Sequence, residues 1–237
     1  MQIKWFDELE STNDELLGHI PEYDNLSVVA ALRQTAGRGQ RGNRWESAGG
    51  ENLTFSLLLK PHALPASAFM SLTHLPTLAV RDWLRREGVP AVIKWPNDIY
   101  VGNRKICGML VENSLSGRNI AASVIGIGLN LNQTVFPGQL INPVSLKLLT
   151  GRSYPLAETL EDLLSGFDFS ALDTAAGRTR LWKAYQDGLY RQGMACQFRN
   201  LLTGAEFTGT IKGVTREGRL LMDDGKTFSF KEIGYII

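Results

Sequence analysis

Gly37-Arg38-Gly39-Gln40-Arg41-Gly42-Asn43-Arg44-Trp45 stands between two apolar runs, residues 26–32 and 53–59. Both runs read as buried strands, and the nine residues between them decide what kind of sheet they belong to. The spacing matches G-x-G-x-x-G, which in a dinucleotide-binding fold opens a helix and is followed by an acidic residue about 20 positions later. Here the chain continues through Glu46-Ser47-Ala48-Gly49-Gly50, which cannot sustain a helix, and then enters a strand. That excludes a Rossmann site, and no G-x-x-x-x-G-K-S/T sequence is present to form a P-loop. The stretch is a loop. Glycine lets its backbone approach a ligand and adopt positive φ, and arginine supplies a positive fork for phosphate or carboxylate. It is either a solvated basic turn or a cationic loop that closes over an anion.

A chain of 237 residues holds one large domain, or a medium one and a small one. Its net charge of +1 leaves no global nucleic-acid footprint. The positive charge is local instead, with Arg33, Arg38, Arg41 and Arg44 close together and no acid between them. Cys107 and Cys196 form no metal pattern and read as free thiols in a reducing compartment. Met1-Gln2-Ile3-Lys4-Trp5 is no signal peptide, and no apolar run approaches the ~18 residues of a membrane span. A soluble cytoplasmic protein without a membrane partner is expected.

Residues 2–6 read as a short strand. In Glu10-Ser11-Thr12-Asn13-Asp14-Glu15, Thr12 with Glu15 fits a capping box and Ser11 is an equally good cap. Such a helix start also offers N–H groups and hydroxyls to a polar ligand. Residues 67–87 have helical apolar spacing, with a kink or break expected at Pro76, and His74 within them reads as a structural histidine. Residues 91–93 form a strand that leads into Lys94-Trp95-Pro96-Asn97-Asp98. A hairpin turning at Gly102-Asn103 follows, then a strand over 123–128, a loop with Pro137 and Pro143, and helices over 156–166 and 171–187. After Gly188 come five short strands with turn signals at Glu217-Gly218 and Asp224-Gly225, which suggests a small barrel and a boundary near 188–194.

Four stretches in this order, Ser11-Thr12-Asn13, the Arg38 loop, Lys94-Trp95-Pro96-Asn97-Asp98 and Lys105-Ile106-Cys107-Gly108-Met109-Leu110-Val111-Glu112, resemble the biotin protein ligases. The resemblance covers about residues 8–132. It implies an α+β fold: a mixed central sheet flanked by helices, of the class II aminoacyl-tRNA synthetase and biotin ligase type, over residues 1–188. A small SH3-like barrel is implied over 189–237. It also implies two reactions, attack of biotin's carboxylate on ATP to give biotinyl-5′-adenylate, and transfer of biotin to a lysine of a biotin carboxyl carrier domain of a biotin-dependent carboxylase.

The residue types suit that chemistry. A carboxylate attacking a polyphosphate brings like charges together, and cations must screen them. Arg38, Lys105 and Lys94 are the candidates, with a structural ion pair to Asp98 as the alternative for Lys94. By resemblance Ser11, Thr12, Asn13 and Gln34 meet biotin's ureido ring, and Gly37, Arg38, Gly39, Gln40 and Lys105 its carboxylate end. Gly108 and Leu110 would line its tail. Arg38, Arg41, Trp45, Asn97, Asp98, Lys105 and Asn130 would meet ATP or the adenylate, with core packing as the alternative for Trp45. Asp98 is the candidate ligand for Mg²⁺. Two departures are visible. Gln40 stands where many relatives have a second arginine, which predicts looser retention of the adenylate. The ligase motif starts at residue 8, leaving no room for the N-terminal DNA-binding domain of many bacterial members, so no specific nucleic acid is expected; a monomer or homodimer fits equally. A lipoate or octanoate ligase, a non-catalytic biotin sensor and a DNA-binding repressor are the competing readings.

Overall fold

The computed structural model describes residues 1–140 and 142–236, with every side chain among them except that of Arg41. Seven strands form a mixed sheet: β1 (Ile3–Leu9), β2 (Val28–Gln34), β3 (Leu53–Leu59), β4 (Ala91–Lys94), β5 (Asp98–Val101), β6 (Arg104–Ser116) and β7 (Asn119–Leu129). Their order is β1-β2-β3-β7-β6-β5-β4. β1 and β2 are parallel, joined through helix α1 (Thr12–Gly18), and every other pair is antiparallel. β7 is the middle strand with β3 beside it, and all seven residues of β3 are buried, which explains its largely apolar sequence.

Strand alternation sends neighbouring side chains to opposite faces, and here the two faces differ. Leu53, Phe55, Leu57, Ile125, Ile127 and Leu129 join the main core with Leu72, Leu75, Trp83 and Leu84 of helix α2 (Ser71–Arg86). The other face has only a small apolar patch, Leu16 of α1 on Val29, Leu58, Ala122 and Val124. Beside that patch the residues are small or polar. One row across the sheet pairs Ser56 with Gly126 and Gly126 with Leu110; the next pairs Thr54 with Gly128 and Gly128 with Gly108. A cleft opens over these rows because, Leu110 apart, the side chains on them are small or absent.

Helix α2 runs through Pro76 without a break, so of the kink or break expected from the sequence the break is not formed. Thr77 Oγ1 donates to the Thr73 carbonyl at 2.5 Å, one residue past the Leu72 carbonyl that the missing Pro76 N–H leaves without its helical donor. Helices α3 (Leu146–Thr150), α4 (Leu156–Ser165) and α5 (Ala175–Gln186) follow. Of these α3 was not foreseen, although Ser145 caps it by accepting from Leu148 N.

The C-terminal strands are β8 (Ala195–Asn200), β9 (Glu206–Val214), β10 (Leu220–Met222), β11 (Thr227–Phe228) and β12 (Ile233–Tyr235), with Gly218 and Gly225 at positive φ in the expected turns. They form an antiparallel sheet in the order β11-β10-β9-β8-β12. The expected SH3-like barrel is not formed. The edge strands β11 and β12 are two and three residues long, too short to supply a closing ladder. The sheet shares the main core through Phe198, Ile211, Val214, Leu220, Met222 and Ile233. It is also tied to the larger sheet by Trp95 Nε1 donating to the Gly218 carbonyl at 2.9 Å. Cys107 and Cys196 are free, as read from the sequence. Among the described residues no helix is long and apolar enough to cross a membrane.

Candidate active site

The cleft over the glycine rows gathers residues from every motif singled out in the sequence. Ser11, Thr12, Asn13, Gln34, Arg38, Gly39, Gln40, Trp45, Lys94, Asn97, Asp98, Lys105, Gly108 and Leu110 all line it. Gly37 stands just behind them. A Cβ there would lie 2.5 Å from the Trp45 carbonyl, so only glycine allows the loop's two ends to meet. They meet through Trp45 N donating to Gly37 O at 3.0 Å and Gly39 N donating to Asn43 O at 2.7 Å. Asn130 does not line the cleft; it is buried, with Nδ2 on the Val144 carbonyl. The Arg41 side chain, expected at the adenylate, lies outside the described residues.

The floor is a chain of hydrogen bonds. Ser11, rather than Thr12, is the N-cap of α1. Thr12 N and Oγ1 donate to Gln34 Oε1 at 2.8 and 3.1 Å. Thr12 Oγ1 is 2.7 Å from Ser56 Oγ, which donates to Asn13 Oδ1 at 2.5 Å. Asn13 Nδ2 donates to Glu112 Oε2 at 2.8 Å. A Cβ on Gly126 would overlap the Asn13 amide, so that glycine makes room for the chain.

The chain ends on a cation. Arg38 grips Glu112 with both terminal nitrogens, at 3.2 and 2.8 Å, and Asp14 with one, at 2.5 Å. The hydrogen bonds to Glu112, more than the charge of Asp14, raise the Arg38 pKa above its ordinary value, so the guanidinium remains charged. On the opposite side Lys105 pairs with Asp98 at 2.7 Å. Lys94, the register partner of Asp98, does not form the ion pair considered from sequence. Its ammonium lies 3.3 Å from Tyr100 Oη and over the rings of Tyr100 and Tyr235. Burial lowers its pKa below that of an ordinary lysine, against the raising effect of Asp98.

Trp45 lies flat over Gly128 and Gly108, where a Cβ would approach the indole to 2.2 and 3.1 Å. Its Nε1–H is buried without a partner, as is Gln40 Oε1. Asn97 is tied down by Nδ2 donating to the Met109 carbonyl. Among the described residues no group of three or more His, Cys, Asp or Glu is placed to hold a metal ion.

Sequence reasoning missed Asp14, Glu112 and Ser56, which bond to residues lining the cleft, and the wall made by Phe230 and by Tyr235 of β12. Ser56 had a signal, as one of two hydroxyl residues, with Thr54, in an otherwise apolar strand. So did Gly126-Ile127-Gly128, since alternating glycines in a strand mark one face as open to close approach.

Comparison with known proteins agrees with this architecture. The model of the biotin/lipoate A/B protein ligase family matches residues 5–130. The chain is 37% identical to a biotin–(acetyl-CoA-carboxylase) ligase of Paracoccus denitrificans over 224 residues, 90% of each chain. It is 32% identical to the bifunctional ligase/repressor BirA of Bacillus spizizenii, with 83% of this chain matched to 61% of that one. The chain thus spans about three fifths of the length of the first such relatives. The structure of Aquifex aeolicus biotin protein ligase in complex with biotin and ATP superposes with a TM-score of 0.74 at 25% identity, covering 98% of this chain and 97% of that one. A family model over more than half the sequence, and a relative matched over nine tenths of its length, establish that this chain belongs to the biotin/lipoate A/B protein ligase family.

Proposed function

We propose that the protein is an ATP-dependent biotin–protein ligase. One observation carries the reading: a single cleft joins a polar floor at Thr12, Gln34 and Ser56 to cations at Arg38, Lys94 and Lys105. The floor offers both donors and acceptors to a neutral ureido ring. Leu110 and the bare faces of Gly108 and Gly126 accept an aliphatic tail. The tail then directs a carboxylate toward the cations, where the α-phosphate of ATP is held beside Trp45.

In the first reaction a carboxylate oxygen bonds to the α-phosphorus and the bond to the bridging oxygen breaks, releasing pyrophosphate. Arg38, Lys94 and Lys105 screen the two approaching anions and the charge that builds on phosphorus. In the second, the amine of a carrier-domain lysine attacks the anhydride carbonyl, AMP leaves and the nitrogen loses its proton. Mg²⁺ usually reaches such sites through substrate phosphates and one or two carboxylates. Asp98 is the one carboxylate in the cleft suited to that, and the ion would add positive charge at the phosphates. The acceptor is a carrier domain of a biotin-dependent carboxylase, and no nucleic-acid contact is part of this proposal.

The test is single-turnover formation of the adenylate. Lys105→Ala should slow it by about 10² to 10³, the usual effect of removing one group aimed at developing charge, with little change in thermal stability. An unchanged rate would overturn the assignment of Lys105 to the chemistry.

A further inference from the structure

We propose that Asp14 competes with the nucleotide's phosphates for Arg38 and so sets how tightly the protein holds ATP. The inference rests on reading the cleft as the site of biotin activation. Arg38 is the cation on which the floor's chain of hydrogen bonds ends, and it faces two carboxylates, Asp14 and Glu112. The three groups together carry one negative charge. A phosphate approaching this set meets net repulsion unless one carboxylate withdraws.

The geometry points to the one that withdraws. Glu112 takes two hydrogen bonds from Arg38 and a third from Asn13, and its side chain is 26% exposed. Asp14 takes a single bond from Arg38 and its side chain is 48% exposed. It stands in the first turn of α1 and can turn into water without leaving a buried charge behind. Glu112 cannot leave without also taking from Asn13 Nδ2 its 2.8 Å acceptor, leaving it only the Leu110 carbonyl at 3.5 Å. A phosphate arriving at Arg38 therefore replaces Asp14, while Glu112 keeps the guanidinium oriented. Asp14 acts through Arg38 and is a positioning residue. An exposed ion pair shifts an equilibrium by about two- to fivefold, which is the size of effect expected.

The test uses α,β-methylene-ATP, which cannot be cleaved at the α-phosphorus, and measures its Kd by calorimetry with biotin present. Asp14→Asn and Asp14→Ala should each lower the Kd about two- to fivefold, and added salt should narrow the gap from the parent protein. In an Arg38→Ala background the same substitutions should leave the Kd where Arg38→Ala alone puts it. A purely structural role for Asp14 would weaken binding, and either weaker or unchanged binding overturns the proposal. Equal tightening in the Arg38→Ala background also overturns it, because the effect would then be a general one of removing negative charge. Parent protein that binds no nucleotide would overturn the ligase reading itself, and the proposal with it. Normal nucleotide binding with no response to Asp14 would overturn the proposal alone.

Discussion

Gln40 lines the cleft with its Oε1 buried and without a partner, at a position where the resemblance leads one to expect arginine. A charged donor there would add a charge-assisted hydrogen bond to the adenylate's phosphate, about twice as strong as a neutral one. Arg44 is poorly placed to substitute for it, because its guanidinium is held on the Thr35 carbonyl at 3.1 Å. Gln40→Arg should therefore slow adenylate release, by about tenfold if the gain is ~1.4 kcal/mol. Stopped-flow dissociation of preformed adenylate measures it, and an equal rate in both proteins would show that Gln40 is a spectator. Thr12, Arg38 and Lys105 sit in local motifs that carry the resemblance to the biotin protein ligases, which is how the sequence singled them out, and all three line the same cleft. Glu112 was not singled out, since its partner Arg38 lies 74 residues away and only strand pairing brings them together.

Strand β7 shapes the cleft by what it lacks. Gly128 has the Trp45 indole where its own side chain would be, so Gly128→Ala must push the ring off the sheet. Overpacking of this kind typically costs about 1–3 kcal/mol of stability. Here it should also weaken nucleotide binding severalfold more than biotin binding, because Trp45 stands on the cation side of the cleft. Calorimetric titration of each substrate checks this, and equal losses for both would contradict it. The central strands were legible as elements because apolar runs bounded by turn residues have few alternatives. At Pro76 the burial of α2 against the sheet outweighs the one backbone bond that proline removes, so the helix is not broken there. The five short C-terminal strands were found, but their closure was not decided by the sequence pattern, which gives strand number and not the length of the ladders at the edges.

The two sheets share one core, and His74 on α2 is buried beside it, 2% exposed, with its ring tilted against that of Tyr185 of α5 at 4.4 Å. Burial, with Arg216 adding repulsion, pulls the His74 pKa from 6.5 down to about 3. The unfolded chain therefore binds this proton from about pH 6.5 downward while the folded chain resists it. Stability from the neutral ring is complete above that pH and is lost progressively as pH falls toward 3. Urea titrations of parent and His74→Phe across this window should show a shallower pH dependence in the variant, and parallel curves would remove His74 from the acid sensitivity. The central claim concerns the cleft that this core supports, and it is tested most directly by ATP–pyrophosphate exchange with biotin, lipoate and octanoate compared side by side. Exchange that requires biotin and Mg²⁺ and is not driven by the other two acids is the result predicted. Equal exchange with lipoate, or none with biotin, would contradict it.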